Sequence, residues 1–129
     1  MAEPQPAALR GQRLLVVEDE YMVAADLARV LEERGADVVG PAGSVEDALE
    51  LVADDDRLDG AVLDINLHGE RAYPVADALR ERGVPFVFAT GYDRWIIPDA
   101  YADVPRVEKP VDTRALARLL STAKRQHPR

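Results

Sequence analysis

Residues 61–67 read AVLDINL: three apolar residues, then an aspartate, then a further mixed run. A second stretch has the same grammar, because residues 14–20 read LLVVEDE. Continuous Val, Leu and Ile runs of this length belong to strands buried on both faces, as in parallel sheets sandwiched between helices. Working outward, Val38–Gly40, Pro85–Ala89 (PFVFA) and Arg106–Glu108 supply three more short strands. Between them the apolar period switches to three and four. Val23, Leu27, Val30 and Leu31 lead to Gly35; Val45, Ala48, Leu49 and Val52 follow Ser44, which caps with Asp47 three residues on; Val75, Ala78 and Leu79 lead to Gly83. A last helix starts at about Asp112 with Ala115, Leu116, Leu119 and Leu120 inward. Five strands alternating with helices predict an α/β fold, a doubly wound five-stranded parallel sheet with helices on both faces. In Gly91–Tyr101, Trp95, Ile96 and Ile97 are compatible with a helix, but Pro98 interrupts them, so the fourth helix is expected to be short or irregular.

Composition bounds what this sheet can serve. The chain has 129 residues, 47% hydrophobic and 31% charged, which suits one domain with a true core. There is no cysteine, so disulfides, thiolate nucleophiles and cysteine-held metal sites are excluded. The net charge of −8 argues against sequence-general nucleic-acid binding. No apolar run approaches the ~20 residues of a membrane span and no signal peptide is legible, which leads us to expect a cytoplasmic protein. Residues 1–11, rich in Ala and Pro, read as a flexible leader, 12–124 as the domain and 125–129 as a basic tail.

In an open parallel sheet the residues just beyond the carboxyl ends of the strands gather along one edge, where such folds bind ligands. Here those residues are Glu18 and Asp19, Asp64, Thr90 and Lys109. Three carboxylates close together repel unless a cation sits among them or a proton is taken up. Oxygen-only ligands favour a hard divalent ion, most plausibly Mg2+, while the lysine can pair with a carboxylate or an incoming anion. These are the ingredients of phosphoryl transfer: positioning, charge neutralisation and a nucleophile. Asp64, at the end of the central strand and followed by a loop, is the sharpest candidate nucleophile, and an aspartyl phosphate would result.

The Glu18-Asp19 pair after LLVV, Asp64 in AVLDINL, Thr90 in FAT and Lys109-Pro110 together resemble the receiver domain of two-component response regulators over about residues 12–124. The string PFVFATGY, Pro85–Tyr92, further resembles a single-domain subgroup known by a PFxFATGY motif. The resemblance implies a flavodoxin-like strand order 2-1-3-4-5 and phosphate transfer from a kinase histidine onto Asp64. It implies Mg2+ held by Glu18, Asp19, Asp64 and the backbone carbonyl of Asn66, with Thr90 and Lys109 contacting the phosphoryl oxygens. It also implies a cis Lys109–Pro110 bond and histidine kinases of the HWE or related types as phosphodonors. With no output domain legible, the signal is expected to pass by protein–protein contact, or the domain acts as a phosphate sink. Its own chemistry is expected to be limited to phosphotransfer and slow autodephosphorylation, so it is not an enzyme in the ordinary sense.

Two departures stand out. Position 106, where many receivers carry a switching aromatic, is arginine, and the stretch from Thr90 to Lys109 is short for the family. We therefore expect Tyr92 to substitute in part, or ordering of Gly91–Tyr101 to be the switch. The blander readings are that Glu18–Glu20 only serve a helix dipole, that Asp64 and Thr90-Gly91 only turn the chain, and that Lys109-Pro110 is a solvated turn; together the five signals outweigh them. His68 reads as a surface loop residue, His127 carries little, and Trp95, Ile96 and Ile97 fit either core or a contact patch. The main alternative is a receiver-like module that binds partners without phosphorylation. A phosphohydrolase would need a second acid where Asn66 stands, and a flavodoxin-like cofactor carrier would not place Glu18-Asp19-Glu20 against its phosphate.

Overall fold

A computed structural model describes residues 9–91 and 97–126, the last six of them by backbone alone. Five parallel strands are covered by four α-helices, in the order β1 (Arg13–Val17), α1 (Tyr21–Glu33), β2 (Asp37–Ala42), α2 (Val45–Asp54), β3 (Gly60–Asp64), a small hairpin of β4 (Asn66–Leu67) and β5 (Glu70–Arg71), α3 (Tyr73–Glu81), β6 (Phe86–Thr90), a 3-10 turn (Asp99–Tyr101), β7 (Arg106–Glu108) and α4 (Thr113–Gln126). The sheet order β2-β1-β3-β6-β7 is the expected 2-1-3-4-5 arrangement of the five main strands. The chain reverses direction across the sheet after β2, so β1 and β3 are neighbours and their ends adjoin. Registers of Val17 with Leu63, Asp64 with Ala89 and Thr90 with Glu108 bring the carboxyl ends level.

Strand alternation sorts the core into two layers. Leu15, Val17, Leu63, Phe86 and Phe88 face α2 and α3, joining Val45, Val52, Val75 and Leu79. Leu14, Val16, Val62, Val87 and Val107 face α1 and α4, joining Leu31, Leu116 and Leu120. Ser44 caps α2, its hydroxyl accepting from the amide of Asp47 at 3.1 Å, as its spacing predicts. Gly35 ends the turn after α1 at φ 98°, where a Cβ would lie 2.9 Å from the Arg10 backbone.

The structure departs from the sequence reading in particulars. Packing begins before residue 12: Leu9 is 1% exposed within the α1/α4 layer, and the Gly11 amide donates to the Gly35 carbonyl at 3.1 Å. At the other end α4 continues to Gln126, into residues read as tail. Strand β2 is six residues rather than three, with a cis Gly40–Pro41 bond and a register shift against β1. Asp64 is followed by a hairpin, not a plain loop. Its turn places His68 at φ 52° and Gly69 at φ 89°, the two left-handed positions of the tight turn that suits a right-twisted ribbon. Between β6 and β7 the only helical segment among the described residues is the 3-10 turn. Tyr92, Trp95 and Ile96 lie outside the described residues, while Ile97 packs half-buried against the α2/α3 layer.

Candidate functional site

At the carboxyl edge the expected residues converge. Glu18 follows β1 directly and is 4% exposed, with its amide donating to Ala42 of β2 at 2.9 Å. Its carboxylate accepts from the Glu20 amide at 3.0 Å and lies 2.6 Å from Lys109 Nζ. The same ammonium donates to Asp64 Oδ2 at 3.0 Å. Asp64 Oδ1 accepts the Asn66 amide at 3.3 Å. One carboxylate oxygen each of Glu18, Asp19 and Asp64 lies within 4.8 Å of the others. Lys109 arrives on the loop after β7, through the cis Lys109–Pro110 bond that the resemblance implied. Thr90, half-buried at the end of β6, accepts the Lys109 amide on its carbonyl at 2.8 Å, so hydroxyl-bearing and ammonium-bearing residues share one backbone bond.

The electrostatics are unbalanced. Burial pushes the Glu18 carboxyl above its ordinary range, and the neighbouring Asp64 charge adds to that, although the Lys109 and Glu20 bonds pull the other way. Burial also opposes the Lys109 ammonium, but hydrogen bonds to Glu18 and Asp64 outweigh it and hold this amine above its usual value. Three carboxylates face one ammonium, which leaves negative charge uncancelled in a partly dry site. An oxygen-only donor set with this excess fits a hard divalent cation better than a soft one.

Two features were not foreseen. His68 is indeed exposed, its side chain at 77%, yet its backbone amide donates to Asp19 Oδ2 at 2.9 Å and its Nδ1 lies 3.4 Å from the same oxygen. The hairpin thereby holds a site carboxylate in place, and the His68-Gly69 pair was the sequence signal for it. The Asn66 side chain is also engaged, its Oδ1 accepting from the Gly69 amide at 3.0 Å and from Arg71 at 3.4 Å. Arg106, where the resemblance led us to look for an aromatic, is exposed on the edge strand β7.

Beside the site, between α1 and the loop after β7, lies a cavity of about 880 Å³. Val23, Leu27 and Val30, three of the four α1 stripe residues read from sequence, line it together with Val62, Ala89 and Val111, which explains why these three are only half-buried while Leu31 is fully buried.

A doubly wound sheet with paired acids after β1, an aspartate after β3, a threonine after β6 and a lysine after β7 defines a receiver. The chain belongs to the response regulator receiver domain family, whose profile matches residues 14–120. Among solved structures it is similar to SdrG of Sphingomonas melonis Fr1, at 38% identity over 90% of this chain and 97% of that one, with a TM-score of 0.76. The BeF3-activated conformation of SdrG matches with a TM-score of 0.69 over 84% of this chain and 92% of that one, again at 38% identity. Among curated proteins it is 28% identical to the sensory transduction protein LytT of Bacillus subtilis over 88% of this chain. The chain spans less than half the length of the curated relatives it matches: 48% of LytT, 40% of PdtaR from Mycobacterium tuberculosis and 45% of PhyR from Methylorubrum extorquens.

Proposed function

We propose that this domain is a phosphoacceptor switch that takes a phosphoryl group from a histidine kinase onto Asp64. The observation that carries the reading is the bridging of Lys109 between Glu18 and Asp64 at 2.6 and 3.0 Å, with Asp19 within ligand reach of both acids. In the transfer, an Asp64 carboxylate oxygen forms a bond to phosphorus as the donor's phosphorus–nitrogen bond breaks, and the imidazole keeps the electron pair and gains a proton. Glu18, Asp19, Asp64 and the Asn66 carbonyl would hold Mg2+, and the ion would supply positive charge against the transferring group's oxygens. Lys109 follows the charge from the carboxylate to the phosphoryl oxygens as a compact point charge. Thr90, tied to Lys109 through the backbone, offers its hydroxyl to the same oxygens.

The PFVFATGY string supports placement in the PFxFATGY subgroup, with a kinase of the HWE or related type as donor in the cytoplasm. Output runs through contact with another protein, or the domain drains phosphate as a sink. Hydrolysis of the acyl phosphate is slow, because Asn66 offers no proton-transferring group two residues past the nucleophile. Incubation with a labelled, autophosphorylated kinase tests the proposal. Acid-labile, hydroxylamine-sensitive acyl phosphate is expected on the chain and is expected to vanish in Asp64→Asn. Label that persists in the variant overturns it.

A further inference from the structure

Resting on that reading, we infer that Tyr101 is a positioning residue that couples the phosphoacceptor site to the surface formed by α3 and the 3-10 turn Asp99–Tyr101. Tyr101 is 9% exposed and packs into the α2/α3 core layer. The ring stacks on Tyr73 at 4.6 Å between centroids, 13° from parallel, and meets the edge of Phe88 at 6.3 Å; Tyr73 and Phe88 meet edge-on at 6.1 Å. Phe88 lies on β6 two residues before Thr90 and in register with Leu63, the neighbour of Asp64. Tyr73 opens α3 directly after Ala72, whose amide donates to the Ile65 carbonyl at 2.8 Å, on the other side of Asp64. A displacement at Asp64 or Thr90 therefore reaches the Tyr101 ring by two short packed routes.

The other face of Tyr101 is held from outside. Its hydroxyl donates to Asp77 Oδ1 of α3 at 2.7 Å, and the Arg80 guanidinium lies 5.3 Å from its ring centroid. Arg80 also forks to the Ala100 carbonyl at 2.7 Å and to Asp103 at 2.8 Å. Asp77, Arg80 and Tyr101 thus form a clamp fastening residues 100–103 of the β6–β7 connection onto α3. One end of that connection is Thr90, and the far end leads through β7 to Lys109. With Arg106 exposed, Tyr101 is the buried aromatic among the described residues of this connection through which a change at the site can be felt at the surface.

The test uses the full chain with Mg2+ and beryllofluoride as the phosphoryl mimic, followed by amide NMR. Binding is expected to shift the amides of Gly91 and Lys109 at the site together with those of Asp77, Ala100, Tyr101 and Ala102 at the clamp. Tyr101→Phe keeps the ring and removes the hydroxyl; Asp77→Ala removes the acceptor at an exposed helix position. Because coupling is reciprocal, each variant is expected to bind the mimic about fivefold more tightly and to show clamp amides already displaced before the mimic is added. Lower thermal stability with unchanged mimic affinity overturns the coupling. Site amides that move in the parent while clamp amides stay put overturn it and leave the Asp64 reading standing. No response at either place, with no acyl phosphate formed, brings down both.

Discussion

Two ion-pair clusters sit at opposite ends of this sheet, and burial is outweighed in one and dominant in the other. At the amino ends, Arg13 bonds Asp37 at 2.7 Å and pairs with Asp55, while its amide donates to Asp59 at 2.9 Å. The Arg13 hydrogen bond holds the Asp55 carboxyl below its ordinary range. At the carboxyl ends, Lys109 lies 2.6 Å from Glu18, yet the Glu18 carboxyl is pushed up by burial. The Asp37 side chain is 64% exposed and the Glu18 side chain 3%. The first cluster opens to water through Asp37 and sets one guanidinium against two carboxylates, whereas the second sets one ammonium against three with Glu18 almost fully buried, and is a site short of positive charge.

Removing the cations breaks the comparison most directly. Lys109→Met is expected to destabilise the metal-free domain at neutral pH by about 3 kcal/mol, because partly buried carboxylates lose their counter-charge. Arg13→Met is expected to cost clearly less, since solvent screens what remains. Urea unfolding of the two variants measures both, and equal losses would mean that the carboxyl edge is an ordinary surface pair.

Adding a cation sharpens it next. Mg2+ is expected to raise the melting temperature of the parent and to bind about tenfold more weakly to Glu18→Gln, by calorimetric titration. The same ion is expected to leave the Arg13 cluster untouched, which amide shifts at Arg13 and Asp37 would check.

Tyr101 gives a smaller, pH-resolved effect. Burial and the Asp77 bond push its phenol up to about 12 from 10.0. Since the folded value exceeds the unfolded one, its stabilising contribution is fully present below pH 10 and is lost as pH rises through about 12. Ultraviolet titration is expected to show one late-ionising tyrosine that disappears in Tyr101→Phe. The smallest effect is at Asp55, whose folded value is depressed: its contribution is present above the ordinary value of 3.8 and fades as pH falls below it. Asp55→Asn is expected to flatten the acid limb of the stability profile.

These clusters also separate what a sequence announces from what it withholds. LLVVEDE and AVLDINL announce their strands because burial on both faces demands unbroken apolar runs, and the acids that end them are conspicuous for the same reason. Strand polarity then brings Glu18, Asp64 and Lys109 to one edge without any side-chain detail. The hairpin after Asp64 was missed because its strands are two residues each, too short for any period to show; only His68-Gly69 hinted at it. Leu9 was missed because a lone leucine in an Ala- and Pro-rich stretch has no pattern, and its burial depends on the long-range contact of Gly11 with Gly35. The Tyr101 clamp was invisible in principle. Its partners Tyr73, Asp77 and Arg80 lie more than twenty residues away in the chain, and nothing local marks them.

The central claim, that Asp64 is the residue esterified, is tested most directly by mapping the modified side chain. The chain is treated with acetyl phosphate, reduced with borohydride, which converts an aspartyl phosphate to homoserine, and read by peptide mass spectrometry. The account predicts homoserine at position 64 with Mg2+ present and none after chelation. Homoserine at another acid, or equal yield without the metal, would contradict it.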